Sequence, residues 1–216
     1  MILKYYGHAF FTMTLENGNV IAFDPYGDFY DYPRRSVKAD VCLMSHHHHD
    51  HDGISSLQPG AVCIDQPGVH KLAEGFTVRG VSTWHDDAQG TKRGANVFFV
   101  VESEGLRVGH AGDLGHLPDA KQLAQIGHLD VLMLPVGGYY TIDSAEAVEV
   151  CRLLSPTVVI PMHYRTHYDM EMPVSGVDEF LSRVKAQDTQ MPLIRIAKAD
   201  VNERPAVVTL QILPEA

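Results

Sequence analysis

The sequence predicts an α/β (α+β) fold of two β-sheets with helices on their outer sides, and three observations carry this reading. The first half is dense in short β-rich segments joined by turns, and the second half alternates helix and strand patterns. Ligand-type side chains fall just after the strand ends, where a rigid scaffold usually places chemistry. No Pro/Gly/Ser-rich linker or low-complexity block interrupts the apolar runs, so residues 1–216 are expected to form a single domain.

In order, residues 2–6, 9–15 and 20–23 are β-rich, and Asn17-Gly18 marks a hairpin turn. Residues 41–44 form a short continuous apolar run, the pattern of a strand buried on both faces, which should end at Ser45. Residues 61–64 predict another strand and 68–74 a short helix. Strands are expected at 76–83, 96–102 and 106–108, the last two joined by a Ser103-Glu104-Gly105 turn. Residues 119–126, 144–154 and 177–186 predict helices. Between them, the strands at 131–134 and 157–160 are closed by Pro135 and Pro161. Residues 193–196 and 206–212 predict a terminal hairpin.

A net charge of −10 argues against a nucleic-acid binder, which needs a basic stripe along the phosphate backbone. Small anionic substrates remain open, because bound cations reverse a local field. Three scattered cysteines do not make a disulfide framework and favour a reducing compartment; Cys42 and Cys63, in apolar runs, read as buried thiols. No leader pattern opens the chain and no apolar run reaches membrane-spanning length, so a cytoplasmic protein without membrane insertion is expected.

Histidine is the unusual entry in the composition: there are 13, and they cluster. The segment Ser45-His46-His47-His48-His49-Asp50-His51-Asp52 follows a buried-looking strand. Imidazole and carboxylate together suit borderline divalent metals such as zinc, manganese or iron. In an extended turn, residues two apart point the same way, so His46 and His48 can grip one ion. As the chain turns onward, Asp50 and His51 can face a second ion nearby, while His47 and His49 face away.

The run fits His-x-His-x-Asp-His in one register: His46, His48, Asp50 and His51. Here the sequence resembles the metallo-β-lactamase superfamily. Ile21-Ala22-Phe23-Asp24-Pro25 is similar to its early strand ending in a structural Asp. Gly109-His110-Ala111-Gly112-Asp113 is similar to its Gly-Asp motif, and Val159-Ile160-Pro161-Met162-His163 to its late strand ending in a ligand His. The resemblance implies a four-layer αββα sandwich and two divalent ions, zinc foremost. His46, His48 and a third histidine would hold the first ion, Asp50, His51 and His163 the second, with Asp113 spanning both. The third histidine is His85, just after a strand, or His110, whose closeness to Asp113 better suits orienting a ligand, as Asp24 would.

The resemblance further implies hydrolysis by a hydroxide shared between two ions, with Asp50 and Asp113 as the catalytic carboxylates. It is nearest to small bacterial hydrolases loosely related to ascorbate-6-phosphate lactonase and to phosphodiesterases acting on N-acyl phosphatidylethanolamine. A small ester, lactone or phosphodiester substrate is therefore expected, and a metal-binding protein or scaffold without efficient turnover is the alternative. His8, Arg93, Tyr139 and Arg165, on loops near predicted ligands, are candidate substrate contacts, and homo-oligomerisation is open.

Overall fold

The computed structural model describes residues 1–72, 75–199, 201–203 and 206–214. Two six-stranded mixed sheets face each other. In the first, β1 (Ile2–Gly7), β2 (Phe10–Thr14) and β3 (Val20–Phe23) form an antiparallel meander, extended in parallel by β4 (Val41–Leu43) and β5 (Val62–Ile64). In the second, β6 (Gly68–Lys71), β7 (Thr77–Trp84), β8 (Ala95–Ser103) and β9 (Leu106–His110) are antiparallel neighbours. Parallel β10 (Val131–Pro135) and β11 (Val158–Met162) complete it.

Side-chain alternation explains the layering. Tyr5, Phe11, Met13, Ile21, Phe23 and Leu43 enter the core between the sheets, where they meet Val78, Phe99, Val101, Met133 and Ile160. Each such side chain contributes about 1.5–3 kcal/mol on burial. The opposite face of the first sheet offers Tyr6, Phe10, Ala22, Cys42 and Met44, which pack under Tyr26, Phe29, Tyr32 and Leu57. The helices are α1 (Ala120–Ile126), which packs on β7, and the mutually packed α2 (Ser144–Leu154) and α3 (Val177–Val184). Asp119 and Asp143 start α1 and α2 with capping boxes that reach Gln122 and Glu146, satisfying the first free N–H groups. The result is an α/β sandwich. Among the described residues no helix is long and apolar enough to cross a membrane.

Three expectations are corrected. Residues 68–71 form edge strand β6 against β7 rather than the start of a helix, and residues 73–74 of that expected helix lie outside the described residues. Val69, Leu72 and Ala73 have helical spacing, but pairing of Gly68–Lys71 with β7 satisfies the backbone as an edge strand instead. Among the described residues the terminal hairpin is absent: β12 (Ile194–Arg195) pairs with β1, while Val207, Leu210 and Ile212 bridge separately to Val159, Met191 and Tyr5. Cys63 is exposed, because β5 is the sheet's outermost strand; Cys42, inside, is buried.

The strand directions prepare the site. β1, β3 and β4 run one way in the first sheet, and β7, β9 and β11 share one direction in the second. The residues that follow these six strands are His8, Asp24, the 45–51 segment, His85, the 111–113 segment and His163.

Candidate metal centre

The ends of β1, β3 and β11 are held in left-handed backbone conformations at His8 (φ 55°), Asp24 (φ 42°) and His163 (φ 51°). Such positions cost about 1–3 kcal/mol each in non-glycine residues and persist only where the surroundings enforce them. Here the enforcement is visible: His163 N–H donates to the His8 carbonyl at 2.9 Å, and Tyr5 Oη–H donates to the same oxygen at 3.0 Å. Gly112 (φ 55°) makes the third approach, since a Cβ there would lie 2.4 Å from Asn96 Oδ1 and from Ser45 Cβ. Asn96 Oδ1 in turn accepts from the Asp113 N–H at 2.9 Å, which anchors the backbone at Asp113.

Three donor groups result among the described residues. His46, His48 and His85 form one, His8, Asp50, His51 and His163 the second, and the third, Asp24 with His46 and His51, overlaps the other two from behind. Asp113, 2% exposed, lies between the first two. Its Oδ2 is 3.1 Å from His85 Nε2 and 3.3 Å from His163 Nε2, and its Oδ1 is 3.2 Å from His51 Nε2. Behind them, Asp24 accepts from Ser45 N–H and Oγ–H at 2.7 and 2.6 Å, and pairs with His51 Nδ1 at 2.9 Å. Ser45 Oγ also meets His46 Nδ1 at 2.9 Å. Fixing the outer ring nitrogen this way leaves Nε2 of both His46 and His51 directed inward.

Electrostatics and unmet polar atoms test whether a metal fits. Among the described residues, six buried side-chain polar atoms lack a hydrogen-bond partner; five are His8 Nδ1, His85 Nδ1, both ring nitrogens of His163 and Asp113 Oδ1. Two of them, His163 Nε2 and Asp113 Oδ1, face the converging donors, where leaving each unmet costs about 1–3 kcal/mol and a cation would be the partner; the three Nδ1 atoms belong to rings whose Nε2 faces the cluster. Burial and the neighbouring imidazoles hold His46 at about 3, and burial, with His163, holds His8 at about 4. Burial pushes the Asp113 and Asp50 carboxyls up, but the histidines around them outweigh it and keep both ionised. His51 goes the other way: burial opposes its charge, yet Asp113, Asp50 and Asp24 raise it well above the usual range. Neutral imidazoles, converging carboxylates and one proton trapped among three acids describe a site that suits borderline divalent cations.

The structure brings His85, not His110, to His46 and His48. His110 is stacked on Phe23, its Nε2–H donates to the Ala9 carbonyl and its Nδ1 accepts from Gly112 N–H. A cleft of about 470 Å³ opens over Asp113, with His48, Asp50, His85 and His163 at its floor. Phe29, Tyr30, Tyr140 and Met172 supply its apolar wall and Arg93 its cation. Tyr139, 65% exposed, is turned away at φ 62°, and only its carbonyl takes part, accepting from Arg93 Nη2 at 3.0 Å. Arg165 is exposed and off the cleft lining; its N–H donates to the Ser175 carbonyl. His47 pairs with Asp65 at 3.0 Å, away from both groups, and His49 reaches the cleft rim.

The sequence reading missed the cleft-wall residues Phe29, Tyr30 and Met172, and also Asp86. Asp86, 2% exposed, accepts backbone N–H groups from Ala88, Gly90, Lys92 and Arg93. Burial raises this carboxyl, but the four donors outweigh it and hold it at about 2. Asp86 thereby folds the loop that carries Arg93 to the cleft. The signal available was Asp86-Asp87 ahead of Gly90, the composition of a side-chain-capped turn.

The comparisons with known proteins agree with this geometry. A family profile for the beta-lactamase superfamily domain matches residues 2–163, a span that encloses every donor from His8 to His163. A UPF0173 metal-dependent hydrolase of Natranaerobius thermophilus is 31% identical over 77% of this chain and 84% of its own. A crystal structure of a candidate Zn-dependent hydrolase of the metallo-β-lactamase superfamily from Thermotoga maritima superposes with a TM-score of 0.80 at 35% identity. That match covers 97% of this chain and 98% of the other. Igni18, a metallo hydrolase of Ignicoccus hospitalis, shares the fold with a TM-score of 0.69 at 23% identity, covering 90% and 98%. The chain belongs to the metallo-β-lactamase superfamily, in its UPF0173 family of metal-dependent hydrolases.

Proposed function

We propose that the protein hydrolyses a small anionic ester, lactone or phosphodiester at a two-metal centre, within a single catalytic domain. One observation carries this reading: two donor groups flank the Asp113 carboxylate at the floor of a cleft that has one cation on its wall. His46, His48 and His85 would hold one ion and Asp50, His51 and His163 the other, with Asp113 shared. When bound, two such ions, zinc foremost, supply Lewis acidity that brings the pKa of water towards ~7.

The chain's own residues do the rest. Asp50, partly open to the cleft, is held ionised and so is a weak proton acceptor. Its carboxylate therefore suits orienting the attacking water by accepting its hydrogen bond. Arg93, with its guanidinium over the Tyr140 ring at 5.7 Å, would bind the anionic end of the substrate. Phe29, Tyr30 and Met172 would cover its apolar body and exclude water. The three free cysteines fit a reducing, cytoplasmic setting.

The test is a panel of nitrophenyl phosphodiesters and lactones, in anionic and neutral forms, assayed with the metal-loaded chain. Turnover of one class assigns the reaction. No turnover with any member, from a chain that holds two ions, would favour a metal-binding protein. Arg93→Gln should raise KM for the anionic members roughly 10- to 100-fold, the value of a charge-assisted hydrogen bond, with kcat unchanged. Neutral members should keep their KM. Equal losses for both forms would remove Arg93 from substrate binding.

A further inference from the structure

We propose that His8 is a fifth side-chain ligand, through Nε2, of the ion held by Asp50, His51, His163 and the shared Asp113. The proposal rests on the two-metal reading above and assigns His8 to the metal rather than to substrate.

The geometry is that of one coordination sphere. His8 Nε2 lies 3.2 Å from Asp50 Oδ2 and 3.2 Å from His51 Nε2, and those two atoms are 3.7 Å apart. Ligands at about 2.0–2.1 Å from one ion stand about 3–3.5 Å from their neighbours in a four- or five-coordinate sphere, so this triangle has the size of one face of such a site. His163 offers a ring nitrogen within 4.8 Å of all three. His51 Nδ1 is committed to Asp24, so a cation that replaces the second proton of His51 would find its Nε2 lone pair directed inward, as an Asp50 carboxylate oxygen is. A cation at that convergence would meet a hydrogen if His8 kept its proton on Nε2. The lone pair there is the electrostatically acceptable form.

The fold spends strain to place this ring. Gly7 (φ 108°) precedes His8, and a Cβ on it would meet Tyr32 Cε1 at 2.3 Å, so only glycine fits the turn out of β1. His8 follows at φ 55°, fastened through its carbonyl to His163 N–H. The ring is fully buried and packs between Phe29 and His163, with centroids at 4.6 and 4.2 Å. A buried imidazole on a strained backbone is costly unless the ring does something that needs it there. With Asp113, this ion would have five protein ligands and its neighbour four. The two ions should then differ in retention, the one beside the half-exposed His48 leaving first.

The test uses the full chain, stripped by chelator and titrated with Co²⁺, read by bound stoichiometry and by the d–d absorption band. His8→Asn is the informative variant, since Asn tolerates the left-handed backbone; His8→Ala is its companion, and circular dichroism reports folding. Expected is a loss of roughly 100-fold or more in affinity for one ion, with a changed band for that ion and the other unaffected. Unchanged affinities and bands would overturn the assignment. So would weaker binding with an unchanged band, which would make His8 a positioning residue for Asp50. If both variants misfold, the unmutated chain answers: with ¹¹³Cd bound and ¹⁵N-labelled histidine, six rings (His8, His46, His48, His51, His85 and His163) should couple to cadmium, against five without His8. A wild-type chain that takes up one ion would refute the two-metal reading, and the same comparison on that ion would still decide His8.

Discussion

Asp113→Asn is expected to empty the centre and abolish turnover together. The substitution keeps shape and volume, so the fold should persist by circular dichroism. It removes the charge that four imidazoles surround: His85, His163 and His51 at 3.1–3.3 Å and His46 at 3.9 Å. It also replaces one oxygen by an NH₂ group whose hydrogens would point at a cation. Metal content should fall below that of the wild type at both positions. Hydrolysis should drop by about a thousandfold or more, equivalent to about 4 kcal/mol of transition-state stabilisation. Elemental analysis and a single kcat/KM measurement check both halves. Unchanged metal and rate would refute the shared role of Asp113.

The second large effect is on stability. The site gathers buried carboxylates, unmet ring nitrogens and three left-handed residues, all of which burden the metal-free fold. An ion that binds the folded chain alone stabilises it by about 4.1 kcal/mol at a thousand times its Kd. For a chain of 216 residues this corresponds to a Tm increase of roughly 8–16 °C. Calorimetry of chelator-treated and zinc-reloaded protein measures it. Identical melting curves would mean that these residues do not hold a metal.

The candidate donors were legible because they are contiguous in the chain. His46, His48, Asp50 and His51 occupy six residues after a strand that only core burial explains, and two-residue spacing already separates the inward from the outward imidazoles. Asp119 and Asp143 announced their helices through side chains that can reach back to the first turn. What stayed hidden depends on tertiary neighbours. Gly68-Val69-His70-Lys71 has no periodicity that separates a helical turn from an edge strand, and pairing with β7 decides it. The 206–212 segment reads as one strand, but single bridges to Val159 in β11, to Met191 and to Tyr5 in β1 divide its backbone. Tyr139 and Tyr140 are adjacent and alike in composition; the left-handed turn at Tyr139 sends Tyr140 to the cleft in its place. Asp86 bonds only to main chain, and its importance appears once the loop it folds is seen to deliver Arg93.

The most direct test of the account is the number of metal ions per chain, measured by elemental mass spectrometry on untagged protein purified without added metal and again after zinc reloading. The account predicts about two ions after reloading, and a sharp fall in His48→Ala, which removes a donor from the group beside the cleft. One ion or none after reloading would contradict the two-metal centre.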